Sequence, residues 1–267
     1  NGDALAFFNR VERGSTAYDH ALYYTSYIHY QQGDIERAYK GFAALKNSEI
    51  YSGLIPFYLL QLEFDRGNYK YVVDNCDALL SKAADSERSS ILRLAAEAWF
   101  RLEGYSRALA YITTYAKEAG GKMSREDNYL LGYTTYRTAD YAGAVAPLKA
   151  VCTGTDNLAQ NASYHLADCY VRLGDKKNAI HAFALAADER FNNEISEDAL
   201  FNYGKLLFET GGGTFNESIN VLTRYVTKYP ESERADEARE LLIAAYYNSH
   251  DYEMAYKAIK AFPNPDG

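Results

Sequence analysis

A short phrase recurs seven times along the chain, and this internal repeat constrains the fold more than any other feature of the sequence. Each copy runs from a turn residue, often glycine, to a residue that opens an apolar stripe, as in Gly33–Ala38 and Gly174–Ala179. Successive copies lie 34 to 39 residues apart, since their last residues are Ala38, Val72, Ala108, Ala144, Ala179, Ser218 and Ala255. Such periods are typical of arrays in which each repeat buries its apolar face only against its neighbours.

Helical patterns flank every copy of the phrase. After the turn, apolar side chains recur at i, i+4 and i+7, for example Ala144, Leu148 and Val151, which is one face of an amphipathic α-helix. Long alternation of apolar and polar residues, the usual signal of a strand, is missing, and so is an Asn-Gly turn between such runs. The sequence therefore predicts an all-α chain of helical hairpins. Small residues such as Ala108, Ala144 and Ala179 should be buried where the two helices of a hairpin cross.

With these patterns, the chain resembles a tandem tetratricopeptide-repeat protein along nearly its whole length. That family expects a small residue seven positions before the turn and an aromatic residue four before it. The small residues are Gly132, Ala167 and Gly204, and the aromatic residues are Trp99, Tyr170 and Tyr246. Pro230 matches the proline that closes a repeat, although most repeats here lack it, and Ala139 and His250 replace the turn glycine.

The resemblance implies a right-handed α-solenoid of about seven hairpins, in which the first helices of the repeats line a concave groove. We expect one continuous array over residues 1–267, with 1–14 as the end of an earlier repeat, and we expect the chain to be a fragment of a longer array. The repeats should span roughly residues 17–49, 51–84, 87–119, 125–154, 158–192, 196–230 and 233–262. The insertion Gly211–Gly213 should lengthen one turn.

Charge and composition exclude several classes of function. The 28 Lys and Arg residues against 36 Asp and Glu give a formal net charge of −8, and no basic stripe is visible, so we expect no nucleic-acid partner. No apolar run reaches the roughly 18 residues of a membrane helix, so the sequence predicts no membrane span. Cys76, Cys152 and Cys169 are scattered and odd in number, which indicates small buried hydrophobes rather than a disulfide framework or a zinc site.

The sequence contains no clear motif for catalysis or for a cofactor. His165 and Cys169 have the i, i+4 spacing of two metal ligands, but a metal site needs three or four, and the other histidines lie in other repeats. Gly211–Thr214 lacks the Lys-Ser or Lys-Thr of a phosphate-binding loop, and no strand pattern precedes it. The motifs GxSxG and HExxH do not occur. We therefore predict no catalytic residue, no metal, no cofactor and no enzymatic activity.

Tyrosine is unusually frequent, with 26 residues in the chain. A tyrosine combines a large apolar ring with a hydroxyl, so it tolerates partial exposure and is enriched at binding hot spots. One stripe of each first helix should pack on neighbouring repeats, and a second stripe should face the groove. The predicted partner-binding groove residues are Tyr23, Tyr27, Tyr30, Phe57, Phe64, Arg93, Phe100, Arg101, Tyr129, Tyr133, Tyr136, Arg137, Tyr164, Arg172, Phe201, Phe208 and Tyr247. The alternative is that many of these rings pack between repeats as core.

This residue set favours a non-enzymatic protein-interaction scaffold that binds a peptide or partner protein in an aromatic-lined groove. Acidic groups of the partner would lie near the arginines. The alternative is a carbohydrate- or small-ligand-binding solenoid accessory to another domain, because aromatic platforms also stack on sugar rings. A continuous row of rings favours the peptide. The Lys and Asn clamp with which some members of the family hold chaperone C-termini is missing here.

The segment Tyr225–Ala238 resembles the repeat joints of bacterial periplasmic tetratricopeptide-repeat proteins associated with the outer membrane. This resemblance implies a role in envelope biogenesis and a periplasmic or outer-membrane-associated location, with a cytoplasmic location left open. The exposed ends of the array should carry apolar surface that favours association, so we also expect end-to-end self-association.

Overall fold

The computed structural model describes residues 2–120, 122–187, 191–211 and 215–261. These residues form fifteen α-helices and no β-strand, which confirms the predicted all-α fold. The first seven helices are α1 (Gly2–Phe8), α2 (Tyr18–Gln31), α3 (Ile35–Ala44), α4 (Ile55–Asp65), α5 (Tyr69–Leu80), α6 (Asp85–Arg101) and α7 (Tyr105–Glu118). The other eight are α8 (Arg125–Arg137), α9 (Tyr141–Val151), α10 (Asn157–Arg172), α11 (Lys176–Ala186), α12 (Asn193–Thr210), α13 (Phe215–Lys228), α14 (Ala235–Asn248) and α15 (Tyr252–Lys260).

The chain divides into two compact units, an N-terminal unit of Asn1–Lys122 and a C-terminal unit of Met123–Gly267. In each unit the helices pair into hairpins, from α2 with α3 to α6 with α7 in the first and from α8 with α9 to α14 with α15 in the second. Within a unit, the second helix of each hairpin also packs on the first helix of the next hairpin, as α9 does on α10. Two layers of helices result, one of first helices and one of second helices. One continuous array over residues 1–267 stays a prediction.

In each hairpin, the turn contains a described residue with a left-handed backbone. These residues are Gly33, Gly67, Glu103, Ala139, Gly174, Gly211 and His250, with φ between 54° and 77°. Glycine adopts this conformation without steric cost, which explains its frequency in the repeated phrase. In most hairpins the next residue caps the second helix. Asp34 accepts a hydrogen bond from the backbone N–H of Arg37, and Asp140 accepts one from that of Gly143.

The two helices of a hairpin approach closely where small residues lie. Ala108, Ala144 and Ala179 are fully buried, which confirms the prediction for these positions. At Gly132 the contact is closer still, since a Cβ atom added there would lie 2.7 Å from Cγ of Leu148 and 3.0 Å from its backbone nitrogen. Side-chain volume at these points would push the helices apart.

Three predicted features include residues that the structure does not describe. The insertion Gly211–Gly213 and the loop Gly211–Thr214 include residues 212–214, and the last repeat boundary, 233–262, ends at residue 262. These positions lie outside the part of the chain that the structure describes. The structure describes α12 before residues 212–214 and α13 after them, and it describes α14 and α15 before residue 262.

Candidate functional site

In the C-terminal unit, the first helices α8, α10, α12 and α14 lie side by side, and each contacts the next one directly. Their aromatic and charged side chains, together with Arg234 just before α14, form a surface that we call the first-helix wall. The wall consists of Tyr129, Tyr133, Tyr136, Arg137, Tyr164, His165, Asp168, Arg172, Asp198 and Arg234. Seven of these ten side chains are half-buried, and the three arginines are exposed.

Stacked aromatic rings occupy the α8 side of the wall. The rings of Tyr129 and Tyr133 stack with centroids 5.8 Å apart, and the edge of His165 on α10 meets Tyr133 at 4.7 Å. Nη1 of Arg137 donates to the hydroxyl of Tyr133 over 3.0 Å. Tyr129 and Tyr133 are both half-buried, so part of this stack is open to solvent. Aromatic faces of this kind can bind apolar side chains, and the guanidinium beside them can bind a carboxylate.

Two aspartates connect neighbouring first helices. Asp168 on α10 accepts a hydrogen bond from the hydroxyl of Tyr136 on α8 (2.7 Å) and one from Nε of Arg172 (2.8 Å). Burial and the hydrogen bond to Asp168 raise the pKa of Tyr136, so its hydroxyl stays protonated and keeps donating. The side chain of Arg172 is 49% exposed, and Nε is the atom bound to Asp168. Asp168 therefore holds a solvent-facing guanidinium in place.

The same arrangement occurs one repeat later. Asp198 on α12 accepts a 2.6 Å hydrogen bond from the hydroxyl of Tyr164 on α10 and pairs with Arg234, which precedes α14. Asn202 also donates to Asp198 over 2.9 Å. Tyr136 and Tyr164 thus have two functions, because each ring lines the wall and each hydroxyl ties one first helix to the next.

His165 lies among the rings of the wall. It is half-buried, and its Nδ1 is buried without a hydrogen-bond partner among the described residues. Burial lowers the pKa of His165 to about 4, with a further lowering by Arg137 and an opposing effect of Asp168. The imidazole is therefore neutral at neutral pH and packs as an aromatic ring. The described residues contain no group of three His, Cys, Asp or Glu side chains that could hold a metal ion.

Phe201, predicted to line the groove, belongs to the core instead. Its side chain is only 3% exposed, and its ring centroid lies 5.5 Å from that of Tyr225, which is fully buried. The guanidinium of Arg234 covers the ring at 5.1 Å. The prediction for Phe201 is wrong because the neighbouring repeat places Arg234 over a ring that the single helix would leave open.

Other predicted groove residues form ring pairs at the hairpin turns. In four hairpins, the last ring of the first helix meets the first ring of the second helix edge to face. The pairs are Phe64–Tyr69, Phe100–Tyr105, Tyr136–Tyr141 and Tyr247–Tyr252, with centroids 5.3 to 6.1 Å apart. Phe64 and Phe100 are half-buried, as is Phe208, whereas Tyr247 is 62% exposed. The four ring pairs stabilise the turns.

In the N-terminal unit, rings fill the space between α2 and α4. No Cα atom of α2 comes within 8 Å of a Cα atom of α4. The hydroxyl of Tyr23 lies 3.3 Å from that of Tyr58, and the hydroxyl of Tyr30 donates to Gln61 over 2.8 Å. Tyr58 also stacks on Phe42 with centroids 4.7 Å apart. These tyrosines therefore act as spacers between two first helices.

The remaining predicted groove residues of this unit are not assembled into one site. Tyr27 lies beside Tyr23 with rings 6.3 Å apart, and Phe57 is half-buried next to Tyr58. Arg93 is half-buried, and the exposed Arg101 donates to Glu97 on its own helix over 3.1 Å. The C-terminal unit is thus the better candidate for a partner-binding surface.

Sequence reasoning missed Tyr58, Asp168 and Asp198 as organising residues. Their signal is a partner about one repeat away, since Tyr136 and Asp168 are 32 residues apart and Tyr164 and Asp198 are 34 apart. An acidic residue one period after a tyrosine could have indicated these links. The described helices include none with the length and hydropathy needed to span a membrane.

The paired helices, their small crossing residues and the layer of first helices define a tandem tetratricopeptide-repeat fold. The family model described as the tetratricopeptide repeat matches residues 161–189 and 198–232. These two segments cover most of α10 and α11 and most of α12 and α13 with the following joint. The predicted all-α tetratricopeptide-repeat solenoid and the resemblance to that family are confirmed.

Solved structures of tetratricopeptide-repeat proteins share this fold at low sequence identity. YrrB, described as a TPR protein with an unusual peptide-binding site, is 14% identical with a TM-score of 0.59, covering 74% of this chain and 97% of YrrB. A tetratricopeptide-repeat protein from Parabacteroides merdae is 16% identical with a TM-score of 0.51, covering 91% of each chain. The Naa15/Naa10 structure bound to HypK-THB gives a TM-score of 0.56 at 15% identity, covering 93% of this chain and 36% of that one. No match was found among curated proteins.

Proposed function

We propose that the chain is a non-enzymatic interaction scaffold that binds a peptide or partner protein on the first-helix wall of its C-terminal unit. The observation that carries this proposal is the combination of the half-buried Tyr129–Tyr133 stack with exposed arginines on the same wall. The fold itself supports protein binding, because tandem repeats present an extended surface to a partner.

The wall favours a partner segment with apolar and acidic groups. Apolar side chains would pack on the rings of Tyr129 and Tyr133, where they lose contact with water. A carboxylate of the partner would accept hydrogen bonds from Arg172, whose guanidinium Asp168 already orients through Nε. Less side-chain entropy is then lost on binding, because the arginine is held before the partner arrives.

The comparison with YrrB supports the peptide as a class of ligand. YrrB has a similar fold, and its description names a peptide-binding site. We transfer only this class, since an identity of 14% shows the fold alone.

The test is affinity capture of partners from the source cells with the native chain and with Tyr133→Ala. We expect the variant to lose its specific partners, because a hot-spot ring typically contributes about 2 kcal/mol to binding. Tyr24→Ala is the matched control, since Tyr24 is 48% exposed on α2 in the N-terminal unit and is not part of the wall. Thermal unfolding of all three chains separates lost binding from lost folding.

A second variant tests the charge of the wall. Arg172→Glu should weaken capture of the same partners, because it places a carboxylate beside Asp168 and repels acidic groups of the partner. If Tyr133→Ala and Arg172→Glu both recover the native set of partners in native amounts, the wall is not the binding surface.

A further inference from the structure

A cavity of about 410 Å³ lies in the C-terminal unit between α11, α12 and α13, and it shares no residue with the first-helix wall. Its apolar lining comes from Ile180 and Ala184 on α11 and from Leu207 and the ring of Tyr203 on α12. Leu207 is 4% exposed, so the floor of the cavity is continuous with the core. Its volume lies within the range of roughly 300–1,000 Å³ that is typical of small-molecule sites.

The rim of the cavity carries charge on two sides. Lys177 and His181 stand one helical turn apart on α11, and Glu217 stands on α13. The carboxylate of Glu217 already accepts a 2.8 Å hydrogen bond from the hydroxyl of Tyr203. Burial and this contact raise the pKa of Tyr203 to about 12, so the hydroxyl remains a donor to Glu217 at neutral pH.

Lys177 is placed differently from its neighbour Lys176. Nζ of Lys176 is bound to Glu209 over 2.9 Å, whereas Lys177 makes no hydrogen bond or ion pair with another described residue. A cationic group therefore stands at the mouth of an apolar cavity, with an imidazole beside it. A ligand with an apolar body and a carboxylate would complement both features.

We propose that this cavity binds a small apolar carboxylic acid, such as a medium-chain fatty acid or an aryl acid. The apolar body occupies the space between Ile180, Ala184 and Leu207, and the carboxylate lies at the rim near Lys177 and His181. This site is separate from the proposed partner-binding wall, so the chain would bind a small molecule on one surface and a protein on another.

The experiment titrates the native chain with octanoate, octan-1-ol and octylamine by isothermal calorimetry. Octanoate should bind with the highest affinity, roughly fivefold better than octan-1-ol, because a partly exposed ion pair contributes up to about 1 kcal/mol. Equal affinity for octan-1-ol would show that the cavity does not recognise the negative charge of the carboxylate. A preference for octylamine would show that Glu217 dominates the electrostatics of the rim. Either result, or no binding of any probe, would overturn the proposal.

Variants locate the site. Ala184→Trp adds an indole at an exposed position on the cavity wall and should abolish octanoate binding while the helical circular-dichroism spectrum stays native. Lys177→Gln should remove the preference for octanoate over octan-1-ol. Lys149→Gln, at an exposed lysine on α9, is the matched control and should bind like the native chain. If the control loses the preference as Lys177→Gln does, the effect is one of overall charge and the proposal fails.

Discussion

At the scale of single residues, the hydroxyl explains why tyrosine rather than phenylalanine recurs between first helices. Tyr30, Tyr136 and Tyr164 each donate to a side chain on the next first helix, 31 to 34 residues along the chain. The ring fills the space between two helices, and the hydroxyl reaches an acceptor on the next first helix. Much of the surplus of tyrosine is therefore structural, whereas the half-buried Tyr129–Tyr133 stack is the part of the wall that we propose for partner binding.

The hydroxyl of Tyr136 can be tested by Tyr136→Phe. The substitution keeps the ring but removes the donor to Asp168, so we expect the free energy of unfolding to fall by about 1 kcal/mol. Urea denaturation followed by circular dichroism measures this change.

Tyr141→Phe provides the matched control for that variant. Tyr141 pairs with Tyr136 at the same hairpin turn, and its hydroxyl makes no hydrogen bond to another described residue. Its substitution should leave the unfolding midpoint within experimental error. An equal loss in both variants would mean that ring packing, and not the link to Asp168, is what Tyr136 contributes.

At the scale of the element, the hairpin is specified mainly by its turn. A left-handed residue ends the first helix, and an Asp or Asn side chain caps the second in most hairpins, as Asp140 does for α9. Glu103, Ala139 and His250 adopt positive φ without being glycine. Side chains of L-amino acids pay steric energy in this region, so these three turns are held by the packing of their helices.

Ala139→Gly should therefore stabilise the protein. Glycine relieves the strain at φ 64°, and we expect the free energy of unfolding to rise by up to about 1 kcal/mol. Ala146→Gly is the control, since Ala146 is exposed within α9, where glycine should cost about 1 kcal/mol. Thermal unfolding that shows the same sign for both substitutions would contradict the strain at Ala139.

Another link at this scale connects repeats through a single buried side chain. Nε2 of Gln160 on α10 lies within hydrogen-bond distance of the carbonyl oxygens of Ala186 and Asn192 and of Oγ of Ser196. Its Oε1 accepts from the backbone N–H of Asn192 over 2.8 Å. Gln160 thus joins α10 to the end of α11 and the start of α12. This role could not be predicted from the local sequence, because the partners of Gln160 lie outside its own helix.

At the scale of the whole molecule, the helices of both units pack by the same rule. In the C-terminal unit, one apolar position of the repeat is buried in three hairpins and exposed in the last described one. In the C-terminal unit, Leu148, Phe183 and Leu222 occupy one repeat position and are buried. Ile259 occupies that position on α15 and is 46% exposed, with Tyr256 beside it at 58%. In the earlier hairpins a following first helix covers this position, whereas α14 is the one described helix that packs on α15.

This exposed surface makes the self-association expected from the sequence testable. We predict that sedimentation velocity shows association that rises with protein concentration. Ile259→Glu should weaken it by about tenfold, because an apolar contact of this size contributes on the order of 1.5 kcal/mol. Leu185→Glu, at an exposed leucine on α11, should have no effect. A strict monomer at high concentration would refute this prediction. The periplasmic or outer-membrane-associated location is a separate prediction.

The secondary structure and the repeat could be predicted from the sequence because they depend on residues close together in the chain. Helical periodicity, capping aspartates, turn glycines and small crossing residues such as Ala144 all act within one hairpin, so they recur in the linear pattern. The groove residues could not be predicted with the same accuracy. Phe201 is buried by Arg234 and Tyr136 is bound to Asp168, and in both cases the deciding partner lies about one repeat away. Exposure is a property of packed repeats, so the tertiary structure decided which rings are core, which are links between helices and which remain open to a partner.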